Sequence, residues 1–453
     1  MNIFKKLFFF IIILSITGLQ LSFAANLIDY GSNKTWIQKL RQINKTGKFR
    51  IIQLGDSHTA ADFFTDAVRK TLQQRYGNGG IGWVYPSKVS AQRIAAVQYS
   101  GAENWHILSS RKDETHSFPM GGILAHPQAG QASIIQLNDE HETQQIQDVS
   151  INVRPIDMRH RLVVKDADGQ TAYLKVNTKN HLWQTLKLKA KFPIEISTES
   201  ATDLLEIGFI NIEHSQHGVV LSPMGINGAQ LSDVFKWRDN WYNDLIKAQP
   251  DLIILAFGTN EAVNKNLGME KTEILWSRVI QQMKERLPDT AILIIGAPES
   301  LSKIYGNCGR RMPSLNNVQA MQLRLAKKHH LLYWSWQSAM GGKCSMRKWI
   351  KRGLGRKDGV HFTAAGYERA GKNLAQEIIK KVSHDPMVTS THRNKPRQIK
   401  KATPAQSSTK ATRTQSSAKT AHSKTSVKPK TNAKTSVTPH TKTNTHKPQS
   451  STK

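Results

Sequence analysis

Four apolar runs in this 453-residue chain stop at or just before a glycine, and this constrains the fold more than any other feature. Phe49-Arg50-Ile51-Ile52-Gln53-Leu54 runs into Gly55, and the stretch 250–257 runs into Gly258. Gly218-Val219-Val220-Leu221 is soon followed by Gly225, and Ala291-Ile292-Leu293-Ile294-Ile295 by Gly296. Runs of this kind are what strands buried on both faces of a parallel sheet need. Helical periodicity lies between them. Residues 61–76 place Phe63, Ala67, Val68 and Leu72 on one side, with Gly77 as the stop. Residues 270–287 align Leu275, Trp276, Val279, Ile280 and Met283, and residues 317–330 are amphipathic. Residues 331–336 supply a further strand. Strands alternating with helices predict an α/β fold, a doubly wound parallel sheet.

Residues 117–200 break the pattern. Val149-Ser150-Ile151-Asn152-Val153 alternates. Residues 161–165 and 171–176 flank Asp168-Gly169 as a hairpin, and residues 183–196 continue the period of two. An antiparallel β-sandwich inserted into the parallel fold is expected. The organisation is then 1–24 leader, 25–116 first part of the core, 117–200 insert, 201–384 second part of the core and 385–453 tail. Trp83, Trp105 and Trp183 are candidates for stacking on sugars, although tryptophan is more often simply buried.

Open α/β sheets bind ligands beyond the carboxyl ends of their strands. Gly55-Asp56-Ser57-His58 sits at such an end, where a serine can act as nucleophile and offer its own N–H to an oxyanion. Asn260, in Gly258-Thr259-Asn260-Glu261, can aim a side-chain N–H at the same charge. A glycine in Met224-Gly225-Ile226-Asn227-Gly228-Ala229 lets the backbone approach a ligand closely. Asp358-Gly359-Val360-His361 places an acid and an imidazole three residues apart, and a buried Asp orienting a His that deprotonates a Ser is the logic of acyl transfer. Plainer readings exist for each: a turn or helix cap at Ser57, a strand-end turn at Asn260, and a cap at Asp358 and His361, although Thr363 already fills that role. His58 adjoins the serine, where a side chain usually points elsewhere; His361 is the expected base.

Serine, glycine, asparagine and histidine in this order resemble the SGNH (GDSL-type) hydrolase family. The segments 55–66, 79–86, 224–231, 296–300 and 334–342 are similar to Gram-negative peptidoglycan O-acetylesterases. The resemblance implies Ser57 as nucleophile, Asp358 and His361 completing the triad, and an oxyanion hole from the Ser57 and Gly228 N–H groups and the Asn260 amide. It also implies O-acetylated peptidoglycan as substrate, with acetyl removed from the C6 hydroxyl of N-acetylmuramic acid, and an insert similar to a carbohydrate-binding module. Glu261 departs from the Asp that many members carry, which bears on local support more than on chemistry. Deacetylation of another polysaccharide, acetyl transfer to a sugar, and a non-catalytic wall-binding protein are the alternatives.

Lys5 and Lys6, the apolar residues 7–16 and Ser22-Phe23-Ala24 read as a secretory signal cleaved after Ala24, which places the mature protein in the periplasm, soluble or peripheral. Two cysteines, Cys308 and Cys344, suggest one disulfide in that compartment, with two buried thiols as the alternative. The 17 histidines include no paired metal-binding spacing such as His-Glu-x-x-His. His329-His330 reads as a surface feature, and Asp166-Ala167-Asp168-Gly169 lacks the later ligands of a calcium loop. Neither metal nor other cofactor is expected. The formal net charge is +31, and residues 393–453 carry fifteen Lys or Arg and no Asp or Glu. With little to bury, the tail should be disordered. Export removes the usual opportunity for nucleic acid, leaving wall polymer or an anionic membrane surface as partners, or a plain solubilising role.

Overall fold

Successive side chains of a strand point to opposite faces, so a strand apolar at every position must be covered twice. The strand Lys48–Gly55 sends Phe49 and Ile51 to one core and Ile52 and Leu54 to the other. Ile253 and Ile292 face the second core, while Ile254 and Leu293 face the first. Helices Phe63–Tyr76 and Ala364–His384 cover the first face through Phe64, Val68, Leu72, Leu374 and Ile378. Helices Met269–Arg286 and Leu315–Lys328 cover the second through Trp276, Val279, Ile280, Met283, Met321 and Leu325. Each large apolar side chain buried in this way contributes about 1.5–3 kcal/mol.

The computed structural model describes residues 26–156, 161–179, 181–199 and 205–386. The expected leader lies outside these residues, as does the expected tail apart from 385 and 386. The six-stranded sheet runs Leu27–Asp29, Leu332–Ser335, Ala291–Gly296, Leu252–Ala256, Lys48–Gly55, Gly218–Gly225. All neighbours are parallel except Leu27–Asp29, which pairs antiparallel with Leu332–Ser335. From Lys48–Gly55 the chain goes on to the strand on one side, then returns to the strand on the other. The reversal makes a switch point at the carboxyl end of the serine strand.

Two antiparallel sheets accompany the parallel one. One runs Thr171–Lys175, Arg161–Lys165, Ile194–Thr198, Ser133–Leu137, Val97–Gly101; the other runs Gln184–Ala190, Gln147–Pro155, Leu205–Glu213, Ile123–His126, His106–Ser109. Gly80–Val84 also pairs with Leu205–Glu213. Their inward residues, among them Ile135, Val164, Ile194, Ile196, Val149, Ile151, Val153 and Ile207, share one apolar cluster. Antiparallel structure therefore extends on both sides of 117–200. Asp166-Ala167-Asp168-Gly169 is a hairpin turn: the Asp166 carboxylate accepts from the N–H groups of Asp168 and Gln170, and Gly169 takes a positive φ of 77°. Trp83, Trp105 and Trp183 are all buried. Trp83 stacks on Phe209, and the other two indoles donate to the carbonyls of Gln131 and Ser117.

The helix after Ser57 differs from the expected 61–76. A short turn of helix, Ser57–Ala60, is separated from Phe63–Tyr76 by Asp62, whose φ of 48° breaks the spiral. Aspartate tolerates this conformation better than most residues. Its buried carboxyl accepts from the N–H of Ala95 at 2.6 Å and from the Thr65 hydroxyl. Helix periodicity cannot register such a local competitor. Among the described residues no helix is long and apolar enough to cross a membrane.

Candidate active site

Parallel pairing holds three strand ends level: Gly55 is opposite Gly225 on one side and Ala256 on the other. The loops that leave these ends carry Ser57, Gly228 and Asn260. Gly225 allows the approach, because a Cβ there would stand 2.1 Å from the N of Ala60. Asp56 caps the turn of helix Ser57–Ala60, its side chain accepting from the N–H of His58 at 3.0 Å. Ser57 is thus the first residue of the turn, where a backbone N–H has no partner within the helix.

Ser57 Oγ lies 2.9 Å from His361 Nε2, and His361 Nδ1 lies 2.8 Å from Asp358 Oδ2. Asp358 Oδ1 accepts from the N–H groups of Val360 and His361 at 2.8 and 2.9 Å, so the loop folds around the carboxylate. Partial burial pushes the Asp358 carboxyl up, but these two N–H groups and the imidazole outweigh it and hold it below its ordinary range. The expectation of a buried Asp is corrected here: the Asp358 side chain is 44% exposed. In place of burial, the backbone bonds fix its orientation.

Asn260 Nδ2 donates to the carbonyl of Ala229 at 2.9 Å, which orients the amide and, among the described residues, leaves its second hydrogen unused. Gly228 takes a φ of 77°, and Arg111 Nε donates to its carbonyl at 3.1 Å. Arg111 thereby holds the peptide between Gly228 and Ala229, the unit that follows the Gly228 N–H. Ser57, Gly228 and Asn260 all remain partly exposed to solvent.

His58 is not placed to act as base. It is buried, its Nδ1 lies 2.8 Å from the Tyr367 hydroxyl, and its ring packs edge-on against Trp336. Burial, and secondarily the neighbouring His361, push its imidazole down to about 3. Glu261 is 1% exposed, and its Oε1 accepts from the Leu231 N–H at 3.0 Å, tying the asparagine loop to the segment that carries Gly228. Burial pushes its carboxyl up to about 7. Burial, abetted by Glu261, does the same to Asp56.

Sequence reasoning assigned no role to Glu299. It is fully buried and binds Arg311, Gln337 and the N–H of Cys344. Cys344 is disulfide-bonded to Cys308. Leu301 N–H donates to the carbonyl of Gly359 at 2.8 Å, so the segment after the strand Ala291–Gly296 supports the loop of Asp358 and His361. A buried acid inside Gly296-Ala297-Pro298-Glu299-Ser300 was the available signal; its partners are 12 to 45 residues away.

Residues 79–195 match the family described as peptidoglycan O-acetylesterase, N-terminal, and residues 210–369 match the GDSL-like lipase/acylhydrolase family. A solved structure of a peptidoglycan O-acetylesterase is 44% identical over 80% of this chain and 100% of its own, with a TM-score of 0.74. This chain belongs to the peptidoglycan O-acetylesterase family of SGNH hydrolases. The esterase is a carboxylic ester hydrolase. It is distantly similar to an acetyl xylan esterase, at 18% identity over 37% of this chain and 82% of that one (TM-score 0.28). A family two carbohydrate esterase from Cellvibrio japonicus matches at 11% identity over 64% and 98% (TM-score 0.26). No curated protein sequence matches the esterase.

Proposed function

We propose that this esterase is exported to the periplasm and removes O-acetyl groups from the C6 hydroxyl of N-acetylmuramic acid in peptidoglycan, through an acetyl-enzyme. The observation that carries the chemistry is the chain of contacts from Ser57 through His361 to Asp358. The substrate rests on the likeness to a peptidoglycan O-acetylesterase. His361 Nε2 takes the Ser57 proton as Oγ attacks the acetyl carbonyl. The N–H groups of Ser57 and Gly228 and the Asn260 amide hold the oxyanion. His361 then returns the proton to the departing sugar oxygen, leaving acetyl on Ser57. Water, deprotonated by His361, releases acetate and regenerates the serine. Asp358 keeps Nδ1 protonated, so Nε2 is the basic nitrogen throughout.

In this reading the antiparallel insert is a carbohydrate-binding-like module, and the basic tail tethers the enzyme to wall polymer or an anionic membrane. Retention on purified sacculi that survives deletion of residues 386–453 would remove the tether. The main test is acetate released from O-acetylated peptidoglycan by wild type and Ser57→Ala, with O-acetylated xylan alongside. Release from peptidoglycan, lost in the variant and weak on xylan, is the expected result. Activity on xylan alone overturns the substrate. No release from either by folded protein overturns the hydrolytic reading in favour of acyl transfer or binding.

A further inference from the structure

One row of side chains crosses four strands of the second antiparallel sheet. Arg154 stands opposite Glu206. The pairing of Ile207 with Ala125 puts Glu206 opposite His126, and His126 stands opposite His106. Residues opposed in this way share a face and are spaced by the strands themselves. Glu206 is 1% exposed, and its two oxygens divide the work: Oε2 binds Arg154, and Oε1 lies 3.3 Å from His126 Nε2. A third group reaches the row from the preceding loop. His116 Nδ1 lies 2.9 Å from Asp113 Oδ1 and 3.0 Å from Thr115 Oγ1, which holds the ring, and among the described residues Nε2 has no hydrogen-bond partner. A ligand atom from each of His116, His126 and Glu206 falls within 4.8 Å of the others.

We infer that His116, His126 and Glu206 form a binding site for a divalent transition-metal ion of the zinc class, on the antiparallel module and apart from the Ser57 centre. Two imidazoles and one carboxylate are ligands of the borderline kind that zinc takes, in a three-ligand set that leaves one position open. Bonds of about 2.1 Å around a tetrahedral ion would space the ligands by roughly 3.4 Å, within reach of small side-chain rotations from the present separation. His116 and Glu206 also line a cavity of about 400 Å³ together with Arg154, His181, Pro155 and Ile156, which gives room for a further ligand. Glu206 already has a full ion-pair partner in Arg154, so its desolvation alone does not call for two more polar rings. The Asp113–His116 contact is the carboxylate–histidine arrangement that orients metal-binding imidazoles. Asp113 and Glu206 together offset the positive charge of Arg154 and part of that of the ion.

The test is zinc titration by calorimetry of the untagged mature full-length protein after chelator dialysis. Wild type is compared with His116→Gln, His126→Gln and Asp113→Asn; Glu206 is left intact because Arg154 depends on it. Every variant keeps the tail histidines, so the difference from wild type isolates the site. Wild type should bind one more equivalent than either histidine variant, and Asp113→Asn should weaken that equivalent roughly 10- to 100-fold. Cobalt should give a visible d–d band in wild type that both histidine variants lack. Hydrolysis of a small activated ester at wild-type rate verifies that each variant is folded. Equal zinc stoichiometry in wild type and both active histidine variants overturns the assignment, as does an Asp113→Asn affinity unchanged from wild type.

Discussion

Replacing Glu261 by glutamine probes the buried acid beneath the site. An ordinary glutamate loses its proton near 4.5, whereas burial holds this one to about 7 in the folded protein. Between those values the folded state binds a proton that the unfolded chain has released, so this group costs stability as pH rises. Below 4.5 both states are protonated and the cost is absent; above about 7 both are ionised and it is complete. From pH 5 to 8 the group spans about two units, and at 1.36 kcal/mol per unit the loss is about 2–3 kcal/mol. Relief of repulsion on Asp56 in the variant acts in the same direction. The amide itself carries a fixed cost or gain around Leu231, but that offset is the same at both pH values. Urea denaturation of wild type and Glu261→Gln at pH 5 and pH 8 therefore isolates the proton. The variant should lose about 2–3 kcal/mol less than wild type across the interval. Parallel pH dependences, equal within about 0.5 kcal/mol, would refute the reasoning.

Three further outcomes follow from the geometry. Asn260→Ala should lower kcat on an acetyl ester by about 10²–10³, as loss of one oxyanion donor does, with KM little changed; a rate near wild type would remove Asn260 from the hole. The bridge Cys308–Cys344 closes a separation of 36 residues, so Cys308→Ser with Cys344→Ser should cost about 3–4 kcal/mol in urea, and an unchanged midpoint would count against it. Gly225→Ala would drive a methyl into the N of Ala60, so the Ser57 turn must shift; kcat should fall at least tenfold even where the protein folds, and unaltered kinetics would show that the approach is looser than drawn.

The parallel sheet was legible because it is written locally: residues 291–296, and residues 250–257 nearly so, are apolar at every position, and Thr363 caps the last helix as its sequence implies, accepting from the N–H of Gly366. The meeting of Ser57, His361 and Asp358 was also readable, because each follows or lies in a glycine-marked turn. What was missed depends on distance. Asp62 breaks a helix through bonds to Ala95 and Thr65, and the edges of the antiparallel sheets lie outside 117–200 because short strands such as His106–Ser109 alternate too weakly to register. Glu299 binds Gln337 and Cys344, 38 and 45 residues on, and Glu206 meets His126 from 80 residues away, separations that a short window of sequence does not contain.

The central position of Lys48–Gly55 has a consequence for the order in which the molecule comes into being. Its ladder partners are Gly218 opposite Lys48 and Leu252 opposite Ile51, separations of 170 and 201 residues. Ser57 is thus made early in synthesis and waits, with its strand unpaired, until most of the chain has followed. Loop closure over such lengths is slow, and an apolar unpaired strand is the species that aggregates. No chain cut short before His361 brings Ser57, Asp358 and His361 together, so on the proposed mechanism ester hydrolysis waits until most of the chain has been made.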